Sequence, residues 1–186
     1  MTDEERTRRL QGKKVILRQK QLNDAANDFN WATDHELMRL DAGEPYQMVF
    51  SVYFSVYSEG LNDPGKRQFA IETLDGVHIG NCVCYNIDKP RKEAELGILI
   101  GNRDYWGKGH GSDAVNTMVR YIVEDLGMQR IFLHTLEWNI RAQECFERCG
   151  FAPCGRIMKK GYEFIEMELM RDKFEGIEFP SPELSG

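Results

Sequence analysis

The sequence predicts an α/β (α+β) domain, a mixed and mostly antiparallel sheet of about seven strands flanked by about four helices. Three observations predict it. Strand-like and helix-like patterns follow one another along the chain. Asp75-Gly76 and Lys160-Gly161 each sit between two strand-like runs, which reads as a hairpin. Ala114, Val115, Met118, Val119, Ile122 and Val123 recur at helical spacing. A length of 186 residues suits one domain with a full core, and 41 % hydrophobic with 29 % charged residues argues against disorder of the whole chain.

The elements follow in order. Residues 1–12 read as a flexible N-terminus. The domain is predicted over 13–174, and the tail 175–186 carries two prolines. Lys13 to Gln19 reads as a strand. Asn23-Asp24 can cap a helix with Ala26, Phe29 and Trp31 as its apolar positions. His35 to Leu40 is a second helical stretch, and the aromatic-rich Tyr46 to Leu61 is read as a further helix. Asn62-Asp63-Pro64-Gly65 is a turn. Gln68 to Thr73, His78 to Asn86 and Glu93 to Ile100 are strands. A helix over Ser112 to Leu126 closes at Gly127. Arg130 to Leu136 is a strand, and Ile140 to Arg148 is a helix stopped by Gly150. Ala152 to Met158 and Tyr162 to Met170 form the last hairpin.

Charge and cysteine usage exclude several classes. The net charge of −6 disfavours a nucleic-acid binder, which needs a basic face. The charge is uneven. Residues 1–20 hold seven bases against three acids, whereas residues 21–63 hold eight acids against Arg39 alone. No apolar run approaches the ~20 residues that span a bilayer, so no membrane partner is expected. The polar start Met1-Thr2-Asp3-Glu4-Glu5-Arg6 does not read as a signal peptide. The five cysteines Cys82, Cys84, Cys145, Cys149 and Cys154 are an odd number, which points to a reducing, cytoplasmic setting rather than a disulfide framework. Cys145 and Cys149 lack partners at metal spacing and lack a convincing histidine, so they read as small buried apolar residues, and no metal is expected.

One stretch points to chemistry. Gly107, Gly109 and Gly111 alternate between a strand ending near Ile100 and a helix starting near Ser112. Alternate glycines let a backbone approach a ligand with its N–H groups outward, and the following helix adds its positive end. Such a site suits phosphate. It lacks the Gly-Lys-Ser/Thr ending of a nucleotide P-loop, and its third glycine falls one residue short of the dinucleotide fingerprint. A plain glycine-rich connector is the other reading of the spacing.

Trp106-Gly-Lys-Gly-His-Gly111 resembles the acetyl-CoA pyrophosphate loop of the GNAT N-acyltransferases, with Trp106 in the Gln/Arg place. A tryptophan there resembles the ribosomal-protein N-acetyltransferase-like (RimJ/RimL) branch. Val15-Ile-Leu-Arg18 with Asn23-Asp24, Glu95-Leu-Gly-Ile-Leu-Ile-Gly101, Asn139-Ile-Arg-Ala142, Cys149-Gly-Phe151 and Gly161-Tyr162 to Met167 continue the resemblance in order, over about 13–174. The resemblance implies that backbone N–H groups of Gly107, Lys108, Gly109, His110, Gly111 and Ser112 cradle the pyrophosphate of acetyl-CoA. It implies that Ile98, Leu99 and Ile100 pair with pantetheine, and that Asn139 bonds the cofactor arm while Ala142 leaves room. Lys108 and Arg103 would stand near the 3′-phosphate. His110 would point outward, its backbone alone serving. Phe146 occupies the place where many members carry a proton-donating tyrosine; a phenyl ring can pack on the cofactor but cannot donate.

The implied reaction is direct attack of a primary amine on the thioester, with no covalent enzyme intermediate. Glu95 is the candidate general base and Glu93 the alternative, both on one face of a strand. Solvated edge charges are the other reading of the two. His134, mid-strand, could face either the cleft or the core. The acidic segment 21–63 would favour a cationic acceptor, such as a protein N-terminal amine, a polyamine or an aminoglycoside. Alternatively its acids are the wet faces of two helices. A monomer or homodimer is expected. A catalytically weak acyl-CoA-binding protein is the non-enzymatic alternative, motivated by Phe146.

Overall fold

The computed structural model describes residues 9–174. The predicted flexible N-terminus up to residue 8 and the predicted tail 175–186 lie outside the described residues. Eight strands form one sheet: β1 (Arg9–Gln11), β2 (Val15–Gln19), β3 (Arg67–Thr73), β4 (His78–Asp88), β5 (Glu93–Ile100), β6 (Arg130–Leu136), β7 (Ala152–Lys159) and β8 (Tyr162–Met170). Their order across the sheet is β1-β2-β3-β4-β5-β6-β8-β7. Among the described residues six helices flank it: α1 (Ala25–Ala32), α2 (His35–Leu40), α3 (Phe50–Gly60), α4 (His110–Arg120), α5 (Ile140–Arg148) and α6 (Arg171–Phe174). The mixed, mostly antiparallel prediction holds, because β5 and β6 are the parallel pair.

The extra strand is β1. Residues 9–11 were expected to be part of a flexible end, but they pair with Arg18, Leu17 and Ile16, and Leu10 joins the core. Asp113 in the first turn of α4 accepts N–H bonds from Lys13, Lys14 and Val15 at 3.1, 2.7 and 3.0 Å, which ties this edge to the helix. The core lies between α4 and the sheet face bearing Val15, Leu17, Phe69, Ile71, Cys82, Cys84, Ala94 and Leu96. Ala114, Val115, Met118, Val119 and Ile122 enter it at the predicted helical spacing. The final turn, Tyr121–Asp125, widens to a π-turn before Gly127 at φ 70° ends it.

On α1 the expected apolar face holds only in part: Phe29 and Trp31 are half-buried and pack on Phe50, Tyr53 and His78. Ala26 is exposed and the buried positions are Ala25 and Asp28. Asp28 is ion-paired to Lys20 and accepts from Asn81 Nδ2 at 2.7 Å. Asp24 is not the expected side-chain cap of that helix. Its oxygens take the Arg18 guanidinium at 2.6 and 2.8 Å and the Gln21 N–H at 2.7 Å. Arg18 also reaches Glu72 at 2.6 Å. The helix expected from Tyr46 begins at Phe50 and buries no residue.

Asp24→Ala is expected to cost about 3–5 kcal/mol in urea unfolding, because it leaves a shielded guanidinium underpaired. Burial works to raise the Asp24 pKa, but Arg18, the Gln21 N–H and His78 outweigh it and the net shift is downward. The ion pair therefore stabilises the fold above the ordinary carboxylate range. That contribution is lost as pH falls through the depressed folded value.

Candidate active site

β5 and β6 pair only at Glu93, Ala94 and Glu95, opposite Arg130, Ile131 and Phe132. Beyond Glu95 the two strands part, while β5 stays bonded to β4 as far as Ile100. The gap leaves the β6-facing backbone of residues 96–100 outside the ladder. It opens into a cavity of about 500 Å³ whose wall includes Ile98, Leu99 and Ile100. Gly107, Gly109, Gly111 and Ser112 line it from the glycine loop, and Asn139, Ala142, Cys145 and Phe146 from α5. Most of the residues predicted to hold a cofactor therefore share one wall.

The loop conformation needs its glycines. Gly107 and Gly109 have φ of 68° and 85°, a region that side chains disfavour. Gly109 is the N-cap of α4. The first intrahelical bond runs from the Asp113 N–H to the Gly109 carbonyl at 3.0 Å. By helix geometry the N–H groups of His110, Gly111 and Ser112 then have no carbonyl one turn back. They form, with the positive end of α4, a cradle suited to an anion. His110 departs from its expected outward pose: its ring meets the Tyr105 edge at 5.1 Å, and its Nδ1 is buried without a hydrogen-bond partner.

The flanking charges differ from expectation. Lys108 is exposed and off the wall, and its carbonyl accepts from Lys14 Nζ at 2.8 Å. Arg103 is engaged by Asp34 at 2.7 Å and Glu36 at 3.0 Å. The cations on the wall are Arg141 and Arg148. The Arg141 guanidinium stacks 3.5 Å from the centre of the Trp106 ring, whose indole N–H donates to the Ile100 carbonyl at 2.6 Å. The spacing of Arg141, Cys145 and Arg148 along α5 could have disclosed this face. Asn139 caps α5 by accepting from the Ala142 N–H at 3.3 Å, and its Nδ2 lies 3.5 Å from the Leu40 carbonyl. Phe146 is buried and meets Phe151 edge-on at 6.0 Å.

Glu95 stands where the strands part, but its carboxylate is not on the cavity wall. It is 4 % exposed, accepting from His134 Nδ1 at 2.7 Å and Asn86 Nδ2 at 2.7 Å. Burial works to raise its pKa, yet hydrogen bonds from His134, Tyr85 and Asn86 prevail, and the net shift is downward. Of the two places open to His134, the structure gives contact with Glu95 on one side and Glu166 Oε2 at 3.6 Å on the other. Glu93 is held by Arg130 at 3.0 Å and Arg91 at 3.6 Å.

Neither open reading of the acidic segment fits all its members. Asp24, Asp28, Asp34 and Glu36 are tied to Arg18, Lys20 and Arg103, so they are not merely wet helix faces. Asp41, at the end of α2, lines the cavity. It keeps surface access, yet the protein around it raises its carboxyl pKa, with Lys160 opposing. Sequence reasoning did not single it out.

A family model described as an acetyltransferase (GNAT) domain matches residues 14–152. A putative ribosomal N-acetyltransferase of Bacillus subtilis, YdaF, is 26 % identical over 133 residues, 64 % of this chain and 72 % of that protein. An uncharacterized protein of Methanocaldococcus jannaschii is 34 % identical over 91 residues, and the match spans 49 % of this chain but only 17 % of that protein. The crystal structure of spermidine N-acetyltransferase from Vibrio cholerae, in complex with CoA and spermine, matches with a TM-score of 0.78 at 24 % identity, over 88 % of this chain and 99 % of that one. That likeness is one of fold. The chain belongs to the GNAT acetyltransferase family and is an N-acetyltransferase.

Proposed function

From that family, we propose that the chain moves an acetyl group directly from acetyl-CoA to a primary amine, and that the amine is a peptide or protein N-terminus. The parting of β5 and β6 beside a cradle of free N–H groups carries this reading. The donors of Gly107 to Ser112 would hold the pyrophosphate, and the edge of Ile98, Leu99 and Ile100 that β6 leaves outside the ladder would hold pantetheine. Asn139 and Ala142 would flank the arm, Phe146 would pack against it, and Arg141 with Arg148 would balance its charge. Trp106 would serve by bracing Arg141 and the Ile100 carbonyl. Bound acetyl-CoA supplies a thioester carbonyl.

Asp41 is assigned to draw in the ammonium at the mouth, and Glu95 to take its proton through a bridging water. Glu93 is the lesser candidate, since Arg130 and Arg91 occupy it. The mouth supports the acceptor class. Lys160 lies close enough to act on Asp41, and Arg39 stacks on Trp138 at 4.7 Å, so the β7–β8 turn, α2 and the start of α5 meet there. Trp138, Ile140, Met158 and Tyr162 are exposed around these elements, an apolar rim that suits peptide side chains. A polyamine is the second reading. It would meet Asp41 and Glu144 as the acids on the wall, because the other acids of α1 and α2 already hold cations.

Release of CoA across an acceptor panel tests this. A peptide with a free α-amine is expected to be turned over, and the same peptide with a blocked N-terminus is not. Release with spermidine alone would favour the second reading, and no release above hydrolysis, despite CoA binding, would favour a non-catalytic binder. Asp41→Asn is expected to raise KM for the amine about tenfold, the weight of one charge-assisted contact, with kcat little changed. A fall in kcat at constant KM would exchange the roles of Asp41 and Glu95.

A further inference from the structure

We propose that Cys145 is a thiol modification site inside the cofactor cleft, taking hydroperoxides, and that its oxidation and CoA binding exclude one another. The proposal rests on the cofactor reading above. Cys145 and Cys149, expected to be inert apolar filling, differ in placement. Cys149 is buried, whereas Cys145 is half-buried and lines the cavity. The Cys145 sulfur lies 3.3 Å from Ser112 Oγ, and the Cys149 sulfur is 3.5 Å from the Ser112 carbonyl. A Cβ added at Gly111 would stand 3.7 Å from the Cys145 sulfur. The thiol therefore lies against the same helix start that would hold the pyrophosphate.

The surroundings favour the thiolate at Cys145. The neighbouring Cys149 thiol lowers the Cys145 pKa; burial opposes this, and the Ser112 hydroxyl, Arg148 and Arg141 assist. Cys149 is raised in turn and keeps its proton, its S–H turned to the Ser112 carbonyl. Glu144, on the same wall, is the opposing charge on α5. A cofactor-shaped cavity also gives a small oxidant a path to the sulfur.

In the step, the Cys145 thiolate attacks one peroxide oxygen and the O–O bond breaks. The sulfur is oxidised to a sulfenic acid, and the departing alkoxide or hydroxide takes a proton from water. Cβ atoms at i and i+4 of a helix stand about 5–6 Å apart, wider than a disulfide accepts. An external thiol therefore resolves the product: it condenses to a mixed disulfide with loss of water, and a second thiol returns Cys145.

The test uses the full chain carrying Cys154→Ser, which removes the exposed thiol. It is treated with hydrogen peroxide and dimedone at neutral pH, with and without CoA, and the adduct is located by mass spectrometry. The expected adduct is on Cys145, and saturating CoA suppresses it at least about tenfold. Ser112→Ala is expected to slow it several-fold at fixed pH by removing the hydroxyl beside the sulfur. Peroxide-treated protein is expected to lose CoA binding and to regain it with dithiothreitol. CoA that binds untreated protein but leaves the Cys145 rate unchanged overturns the proposal, as does an adduct confined to other cysteines. CoA that fails to bind untreated protein overturns the cofactor reading itself, and the claim of exclusion with it.

Discussion

Gly111→Leu is expected to weaken CoA binding at least about a hundredfold, roughly 2.8 kcal/mol, without destabilising the fold. A Cβ at this position meets Ile100 Cγ1 at 3.6 Å and Cys145 Sγ at 3.7 Å, which is ordinary contact. Both neighbours line the cavity, so the rest of a leucine side chain would grow into it. Gly111 is not among the positive-φ glycines, and it lies in the first turn of α4, so the backbone accepts the change. Replacing a helical glycine gains about 0.5–1 kcal/mol. The signature is a thermal midpoint that holds or rises while calorimetric CoA binding disappears. Normal CoA affinity in a folded Gly111→Leu protein would remove the glycine loop from the cofactor site.

Glu95→Gln is expected to lower kcat by about 10²–10⁴, the usual weight of a positioned base, with KM for acetyl-CoA unchanged. Its carboxylate is bonded by His134 and Asn86, and no cavity-lining residue depends on it directly. The downward net shift keeps Glu95 ionised through the mildly acidic range. The defect is therefore expected to be of equal size at pH 6 and pH 8. A defect that vanishes at pH 6 would mean that wild-type Glu95 had taken up its proton there, contrary to the geometry. The same depression makes the carboxylate stabilise the fold above the ordinary glutamate range, and that contribution is lost as pH falls through the folded value. Glu95→Gln should accordingly lose least, relative to wild type, in acid unfolding.

Much of this was legible in the sequence because backbone demands leave direct marks. Gly107 and Gly109 advertise positive φ, and the apolar spacing of Ala114 to Ile122 advertises the helix that the loop feeds. What escaped depends on long-range pairing. β1 contributes one buried side chain, Leu10, too few for a period-two pattern to emerge. On α1, Lys20 and Asn81 compensate Asp28, so a charged residue faces inward and the amphipathic pattern misleads. His134 meets Glu95 only because β5 and β6 are parallel in a register that no local pattern encodes. Asp41 and Arg141 come together at the cavity because the end of α2 and the start of α5, about a hundred residues apart in sequence, meet at Leu40 and Asn139.

Direct acetyl transfer at the parting of β5 and β6 is tested most directly by measuring two products in one reaction: CoA released from acetyl-CoA, and N-acetylated peptide identified by mass. Wild-type protein is predicted to form them in equal amounts, and Gly111→Leu and Glu95→Gln to form little of either. CoA release without acetylated peptide, or wild-type yields of both products from the two variants, would contradict it.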